Sequence, residues 1–85
     1  MLACPPYSLY AGHRVVIYSN DHRPAHVHVI GNGCEAVFEL DCPYGPPYLR
    51  ENYGYTRKYL ARIAAGLMTE LGQLCWRWEE LHGYH

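Results

Sequence analysis

The stretch "DHRPAHVHVIGNGCEAVFEL", residues 21–40, decides the fold of this chain. Asn32-Gly33 at its centre is the strongest two-residue hairpin signal, because a type I′ turn needs positive φ at both central positions. The residues on either side are rich in β-branched and aromatic side chains that alternate with polar ones. This pattern predicts two strands, over residues 26–30 and 34–40, joined by a tight turn.

The turn also predicts the register of the hairpin. Directly opposed residues share a face of an antiparallel pair. One predicted face is apolar and belongs to the core: Val27, Val29, Ala36, Phe38 and Leu40. The opposite face, named the histidine face below, carries His26, His28, Ile30, Glu35, Val37 and Glu39. Since antiparallel sheets commonly have one solvated face, we expect the histidine face to be open to solvent or to a partner.

Upstream of this hairpin, residues 7–11 and 14–19 predict two further strands with a turn at Gly12-His13, and residues 20–25 predict a loop. Downstream, residues 41–52 are rich in proline and glycine, which predicts a second, long loop.

From Leu60 to Leu81, apolar residues recur every three or four positions, which predicts one long helix. Thr56 is the expected N-cap and Gly83 the expected end. A break at Gly66 or Gly72 stays open. Trp76, Trp78 and Leu81 are expected to close the core, with at most one tryptophan facing outward. The prediction is a single α+β domain over residues 1–85, an antiparallel β-meander of three to four strands packed on one long C-terminal helix.

The composition limits which partners and which cellular compartment suit this chain. The 85-residue chain has a formal charge of −1, so it lacks the overall basicity of a nucleic-acid-binding protein. No apolar run reaches the length of a membrane span, so we expect no membrane contact. We expect no signal peptide, because the first residues meet proline at once, and the four cysteines form no C-x-x-C pair. These features predict a cytoplasmic protein with free thiols.

The histidines are the main candidates for chemistry. His26 and His28 lie two apart on a strand and therefore point the same way, so they can reach one ion or one substrate. Imidazole suits a divalent transition metal, with Glu39 as the preferred third ligand and Glu35 or His22 as alternatives. A second interpretation makes His26 and His28, with His22, the acid and base of an RNA-cleaving site. A third is an exposed polar strand with no chemistry.

A separate set of tyrosines and basic residues is typical of a contact surface, because tyrosine and arginine dominate interface hot spots. Basic side chains at a helix start oppose the helix dipole, so contact with phosphate or with an acidic partner would explain them better than stability does. The predicted binding residues are Tyr44, Tyr48, Arg50, Tyr53, Tyr55, Arg57, Lys58 and Arg62.

The segments "YSNDHRPAHVHVIGNGCEAVFEL" and "ENYGYTRKYLARI", followed by a helix with tryptophan near its end, resemble a known family. It is the small bacterial family catalogued as domain of unknown function 4160. The resemblance implies a small cytoplasmic protein often encoded near toxin–antitoxin modules and mobile elements. Residues 42–48 depart from the family pattern, in which this connection is shorter and plainer.

The function expected from these observations is macromolecular binding. The expected partner is a protein of a nucleic-acid, defence or toxin–antitoxin system, including an anti-CRISPR-like inhibitory role. That partner can belong to a nucleoprotein complex, and both direct nucleic-acid binding and a homodimer stay open. The alternative is a small histidine-dependent ribonuclease or metal-dependent toxin component. Whether the chain is an enzyme is left open by the sequence.

Overall fold

The computed structural model describes residues 13–31 and 33–83. Its elements are β1 (Arg14–Val16), β2 (His26–Gly31), β3 (Cys34–Glu39), β4 (Tyr48–Tyr53), α1 (Arg57–Thr69) and α2 (Leu71–His82). The four strands form one antiparallel sheet in the order β1-β2-β3-β4. The α+β meander is therefore confirmed. The strand predicted over residues 7–11 lies outside the described residues, and so does Gly12 of the predicted turn.

The register of the central hairpin is confirmed at every predicted pair. Val27 faces Phe38, Val29 faces Ala36, and His26 faces Glu39. A slip of one residue would move the histidines into the core, so the alternation and the turn agree on one pairing. Gly33 has φ +80, which suits the hairpin turn; Asn32 lies outside the described residues.

Two regions differ from the prediction by more than the one-residue shifts at the ends of β2 and β3. The loop expected over residues 41–52 ends early, because β4 begins at Tyr48. All six residues of β4 are exposed, so this edge strand lacks the alternation of buried and exposed side chains that reveals a strand in a sequence. β1 ends at Val16 rather than residue 19, because the chain turns where the Asp21 amide donates to the Tyr18 carbonyl (3.1 Å).

The C-terminal region forms two helices, so the prediction of one long helix is wrong. The interruption falls at Glu70 rather than at either glycine, with φ −114 and ψ 16. The Glu70 amide donates to the Leu67 carbonyl, and the Thr69 hydroxyl donates to the Gly66 carbonyl (2.7 Å). A threonine that bonds back to the helix in this way competes with the regular backbone ladder. Thr56 as N-cap is confirmed.

The helices cover the apolar face of the sheet. Buried residues of both helices join those of the hairpin: Val27, Val29, Ala36, Phe38, Leu40, Tyr59, Ile63, Leu67, Leu71 and Cys75. Trp78 is fully buried and Trp76 is exposed, as expected for residues two apart on a helix. Leu81 is exposed, so its predicted place in the core is wrong. The His82 ring stacks on Trp78 instead, with centroids 3.7 Å apart, and Gly83 ends α2 as predicted.

A disulfide joins Cys42, in the loop before β4, to Cys75 on α2. The two Cα atoms are 5.9 Å apart, within the usual bridging range. The prediction of free thiols is therefore wrong for this pair, and no described cysteine is free. Sequence spacing could not reveal it, because the two residues lie 33 positions apart and meet only through packing. In the described ranges, no helix is long and apolar enough to cross a membrane.

Candidate metal centre

Half of the histidine face is buried rather than open, contrary to the expectation from the sequence. His26, Val37 and Glu39 are 6%, 5% and 7% exposed. The chain between β1 and β2 turns back toward this face and brings Asp21 to both histidines. The ring of Tyr18 also packs edge-on against His28, with centroids 4.7 Å apart. Polar side chains that are this well covered need partners, because an unsatisfied buried polar group is costly.

The side chains of Asp21, His26 and His28 come close together where the chain between β1 and β2 folds over β2. The Oδ2 atom of Asp21 lies 3.4 Å from Nε2 of His26 and 3.3 Å from Nε2 of His28. One ligand atom from each of the three residues lies within 4.8 Å of the others. Zinc binds such atoms at about 2.0–2.1 Å in a tetrahedron, whose edges are then about 3.3–3.4 Å long. The two nitrogen–oxygen separations therefore already match two edges of a zinc tetrahedron.

The other ring nitrogens are held by a second layer of groups. Nδ1 of His26 lies 2.9 Å from the Pro24 carbonyl oxygen, and Nδ1 of His28 lies 3.1 Å from Oε2 of Glu35. A carbonyl and a carboxylate only accept hydrogen bonds, so both Nδ1 atoms carry the proton and donate. In neutral imidazoles this leaves both Nε2 lone pairs turned toward Asp21. Metal-binding histidines are oriented in this way in known metalloproteins.

A positive ion between the three side chains fits this arrangement. Two nitrogen lone pairs and a carboxylate oxygen face one another, and Nε2 of His28 is buried without a hydrogen bond. A divalent cation satisfies all three acceptors at once. Two histidines and one carboxylate are a ligand set typical of zinc and of non-haem iron. The residues present therefore fit a transition metal with at least one position left for water.

Glu39 is near this group but has another partner. Its Oε2 accepts a hydrogen bond from Nη1 of Arg50 at 3.2 Å, and it is not among the three converging residues. Asp21 is the third residue of the converging group, whereas the sequence favoured Glu39 as the third ligand. The signal for Asp21 was its place just before the histidine-proline segment. The sequence could not show that the loop folds back over β2.

A cleft opens beside Asp21 and His26. It is lined by Asp21, His26, Glu39, Arg50 and the exposed His22, together with residues of the loop. Arg23 also lines it, but its guanidinium is engaged elsewhere. It donates two hydrogen bonds of 2.9 Å to Glu79 and one of 2.7 Å to the Gly83 carbonyl. This pairing raises the pKa of Arg23 and lowers that of Glu79, and it ties the loop to α2.

The predicted contact residues fall into separate groups. Tyr44, Tyr48 and Tyr53 are 85%, 55% and 58% exposed, so they are available to a partner. Tyr55 is buried and its hydroxyl donates to the Val29 carbonyl (3.4 Å), which removes it from any contact surface. Burial raises the pKa of Tyr55 to about 12.

The basic residues Arg57, Lys58 and Arg62 are exposed on α1. Because α1 packs on the apolar face of the sheet, they belong to the helical layer and not to the histidine face. The predicted basic residues of α1 therefore lie in a different layer from Asp21, His26 and His28.

Comparison with known proteins identifies a family without an assigned activity. The family model described as "Domain of unknown function (DUF4160)" matches residues 12–79, which is most of the chain. No curated protein and no solved structure matches the chain. The matched range contains β2, the converging side chains and both helices up to Glu79, and the chain therefore belongs to the DUF4160 family.

Proposed function

We propose that this protein is a small metal-dependent hydrolase of phosphodiesters, with RNA as the first substrate to test. The observation that carries the proposal is the convergence of Nε2 of His26, Nε2 of His28 and Oδ2 of Asp21, with both Nδ1 atoms already engaged. A metal ion at such a site supplies a nucleophilic water at neutral pH and polarises a phosphoryl oxygen. This develops the ribonuclease alternative drawn from the sequence, with Asp21 added.

The neighbouring residues suit the same chemistry. Glu39 is a buried carboxylate at the cleft wall, and in this proposal it takes a proton from an attacking water. Arg50 carries a guanidinium that is half exposed at the same wall, and arginine recognises phosphate through two parallel hydrogen bonds. His22, exposed at the rim, is available to protonate a leaving oxygen.

The first test is metal binding itself. Metal-free protein is titrated with Zn²⁺ by calorimetry and with Co²⁺ by visible absorption, where tetrahedral coordination gives intense bands. We expect one ion per chain. Asp21→Asn keeps the shape of the ligand but removes its charge, and His28→Ala removes a nitrogen. Each should weaken binding by more than about 100-fold, since losing even a supporting outer group costs about 10–100-fold.

His22→Ala is the matched control, because it removes a nearby histidine that lies outside the converging group. Its metal affinity should equal that of the unmodified protein. Failure to bind either ion in stoichiometric amounts would overturn the proposal. Equal weakening by His22→Ala and Asp21→Asn would overturn the ligand assignment. Cleavage of a labelled RNA strand that depends on the added metal and is lost in Glu39→Gln would establish the activity.

A second candidate function is macromolecular binding in a nucleic-acid, defence or toxin–antitoxin system. Its support is the strong exposure of Tyr44, Tyr48 and Tyr53, which leaves three aromatic side chains of a type enriched in interfaces available to a partner. The proposed partner is a protein, including one held in a nucleoprotein complex, and an anti-CRISPR-like inhibitor remains one form of this function. Residues 42–48, where the chain departs from the family pattern, include two of these tyrosines.

Paired variants separate the two functions. His26→Ala with His28→Ala should abolish metal-dependent cleavage and leave capture of a partner intact, whereas Tyr48→Ala with Tyr53→Ala should do the reverse. If both pairs are silent in both assays, neither function holds. The cytoplasmic location stays a prediction, and the Cys42–Cys75 disulfide favours an oxidising environment over it.

A further inference from the structure

The outer edge of β4 carries a self-complementary sequence. In the described part of the chain, β4 is the last strand of the sheet, and no strand pairs with its outer edge. Its residues, "YLRENY" from Tyr48 to Tyr53, are all exposed. Such an edge is a template for pairing with another chain, and proteins commonly blunt it with charges. Here the only charges are one arginine and one glutamate, side by side at the centre of the strand.

We propose that this edge pairs with the same edge of a second copy, antiparallel about a two-fold axis between Arg50 and Glu51. That axis places Tyr48 opposite Tyr53 of the partner subunit and Leu49 opposite Asn52 of the partner subunit. Arg50 lies opposite Glu51 of the partner subunit, and the reciprocal pair forms at the same time. Opposite charges facing each other across a strand pair are stabilising, and here both pairs are attractive.

The faces of the strand agree with this pairing. Tyr48, Glu51 and Tyr53 face Glu39, Val37 and Glu35 across the sheet, so all three lie on the histidine face. Leu49 and Asn52 face Phe38 and Ala36 and lie on the apolar face.

A register shift between Val37 and Phe38 leaves Arg50 as the extra residue of β4, and its bond to Glu39 places it on the histidine face as well. Adjacent residues ordinarily point to opposite faces. The bulge is what puts Arg50 and Glu51 on one face, as the antiparallel pair requires.

Both charged side chains are exposed, and each also has a partner within its own chain. Within one chain, Nε of Arg50 and Oε2 of Glu51 are 3.8 Å apart, and both side chains are more than 40% exposed. An exposed pair of this kind contributes little, so its exchange has a small cost. Arg50 uses Nη1 for its bond to Glu39 and Glu51 uses Oε1 for its bond from the Tyr53 hydroxyl, which leaves other donors of the guanidinium and the second carboxylate oxygen for a partner's charge. The dimer would join the four described strands of each copy into one continuous sheet. It would also bring Tyr53 of each copy beside Tyr48 of the other, near the wall formed by Glu39 and Arg50.

The test is a charge exchange read by sedimentation. The unmodified protein is followed by analytical ultracentrifugation over a concentration series, and its mass should rise from the 9.8 kDa monomer toward twice that value. Glu51→Arg places arginine opposite arginine twice, and Arg50→Glu places glutamate opposite glutamate twice. Each variant alone should self-associate at least about tenfold more weakly.

Mixing the two variants in equal amounts restores both attractive pairs and should restore the dimer. This recovery would not occur if the substitutions merely damaged the fold. A monomer at every concentration, or Glu51→Arg association as strong as that of the unmodified protein, would overturn the proposal. Failure of the mixture to associate would also overturn the predicted register. Metal binding is independent of this outcome.

Discussion

Removing the disulfide by Cys42→Ala should cost the fold a large part of its stability. Cys42 is exposed, so the substitution leaves no cavity, and the buried Cys75 stays in the core. The bridge closes a loop of 33 residues. In the chain-entropy description, a loop of that length restricts the unfolded state by about 3.7 kcal/mol at 25 °C.

This loss is large compared with the total unfolding free energy of the chain. A chain of this length is expected to have an unfolding free energy of about 4–13 kcal/mol, so the variant loses about a third or more of it. The corresponding fall in Tm is about 20 °C. Urea unfolding followed by tryptophan fluorescence measures the change, because Trp78 is fully buried in the folded protein.

Tyr44→Ala is the control, since it alters the same loop at a side chain that is 85% exposed. Its effect should stay within about 0.5 kcal/mol. If Cys42→Ala costs less than about 1 kcal/mol, or if the unfolded, unreduced protein reacts with a thiol reagent at Cys42 and Cys75, the bridge does not form in solution. The prediction of free thiols for this pair would then stand after all.

Three further outcomes are expected. Glu35→Gln should weaken Zn²⁺ binding by about 10–100-fold, because Glu35 accepts the hydrogen bond from Nδ1 of His28, whereas Glu80→Gln on α2 should not change it in the same titration. Tyr55→Phe should make the stability of the fold less sensitive to alkaline pH. The pKa of Tyr55 is raised to about 12 in the folded state, against about 10 in the unfolded state. The stability that Tyr55 contributes is therefore intact below pH 10 and is lost as the pH rises toward 12. Circular dichroism unfolding at pH 9 and pH 11 checks this, and an equal loss in both proteins would contradict it. Thr56→Ala should cost about 1 kcal/mol in urea unfolding by removing the cap on the Tyr59 amide, and no measurable loss would contradict that role.

The central hairpin follows from the sequence alone. Alternating side chains and the Asn-Gly turn act between near neighbours, so they fix the pairing, the core face and the position of His26 and His28 without help from distant residues. The ends of the helical region were also predictable, because Thr56 and Gly83 act on the backbone next to them.

β4 and the helix break at Glu70 were not predictable in this way. β4 is a fully exposed edge strand, held by backbone pairing to β3, and carries no hydrophobic period. The break depends on hydrogen bonds from the Glu70 amide and the Thr69 hydroxyl to nearby backbone carbonyls. The positions of Gly66 and Gly72 in the sequence do not indicate these bonds. Hydrophobic periodicity in a sequence reflects the alternation of buried and exposed side chains. A strand whose side chains are all exposed therefore shows no such period.

The sequence by itself determined that two histidines share one face of a strand. Only the tertiary structure decided that half of this face is buried, that Asp21 and not Glu39 joins the two histidines, and that Cys42 reaches Cys75. The physical reason is the range of the forces. Strand alternation and turns act over a few residues, whereas a loop folding over a sheet or a bridge across 33 residues depends on the packing of the whole domain.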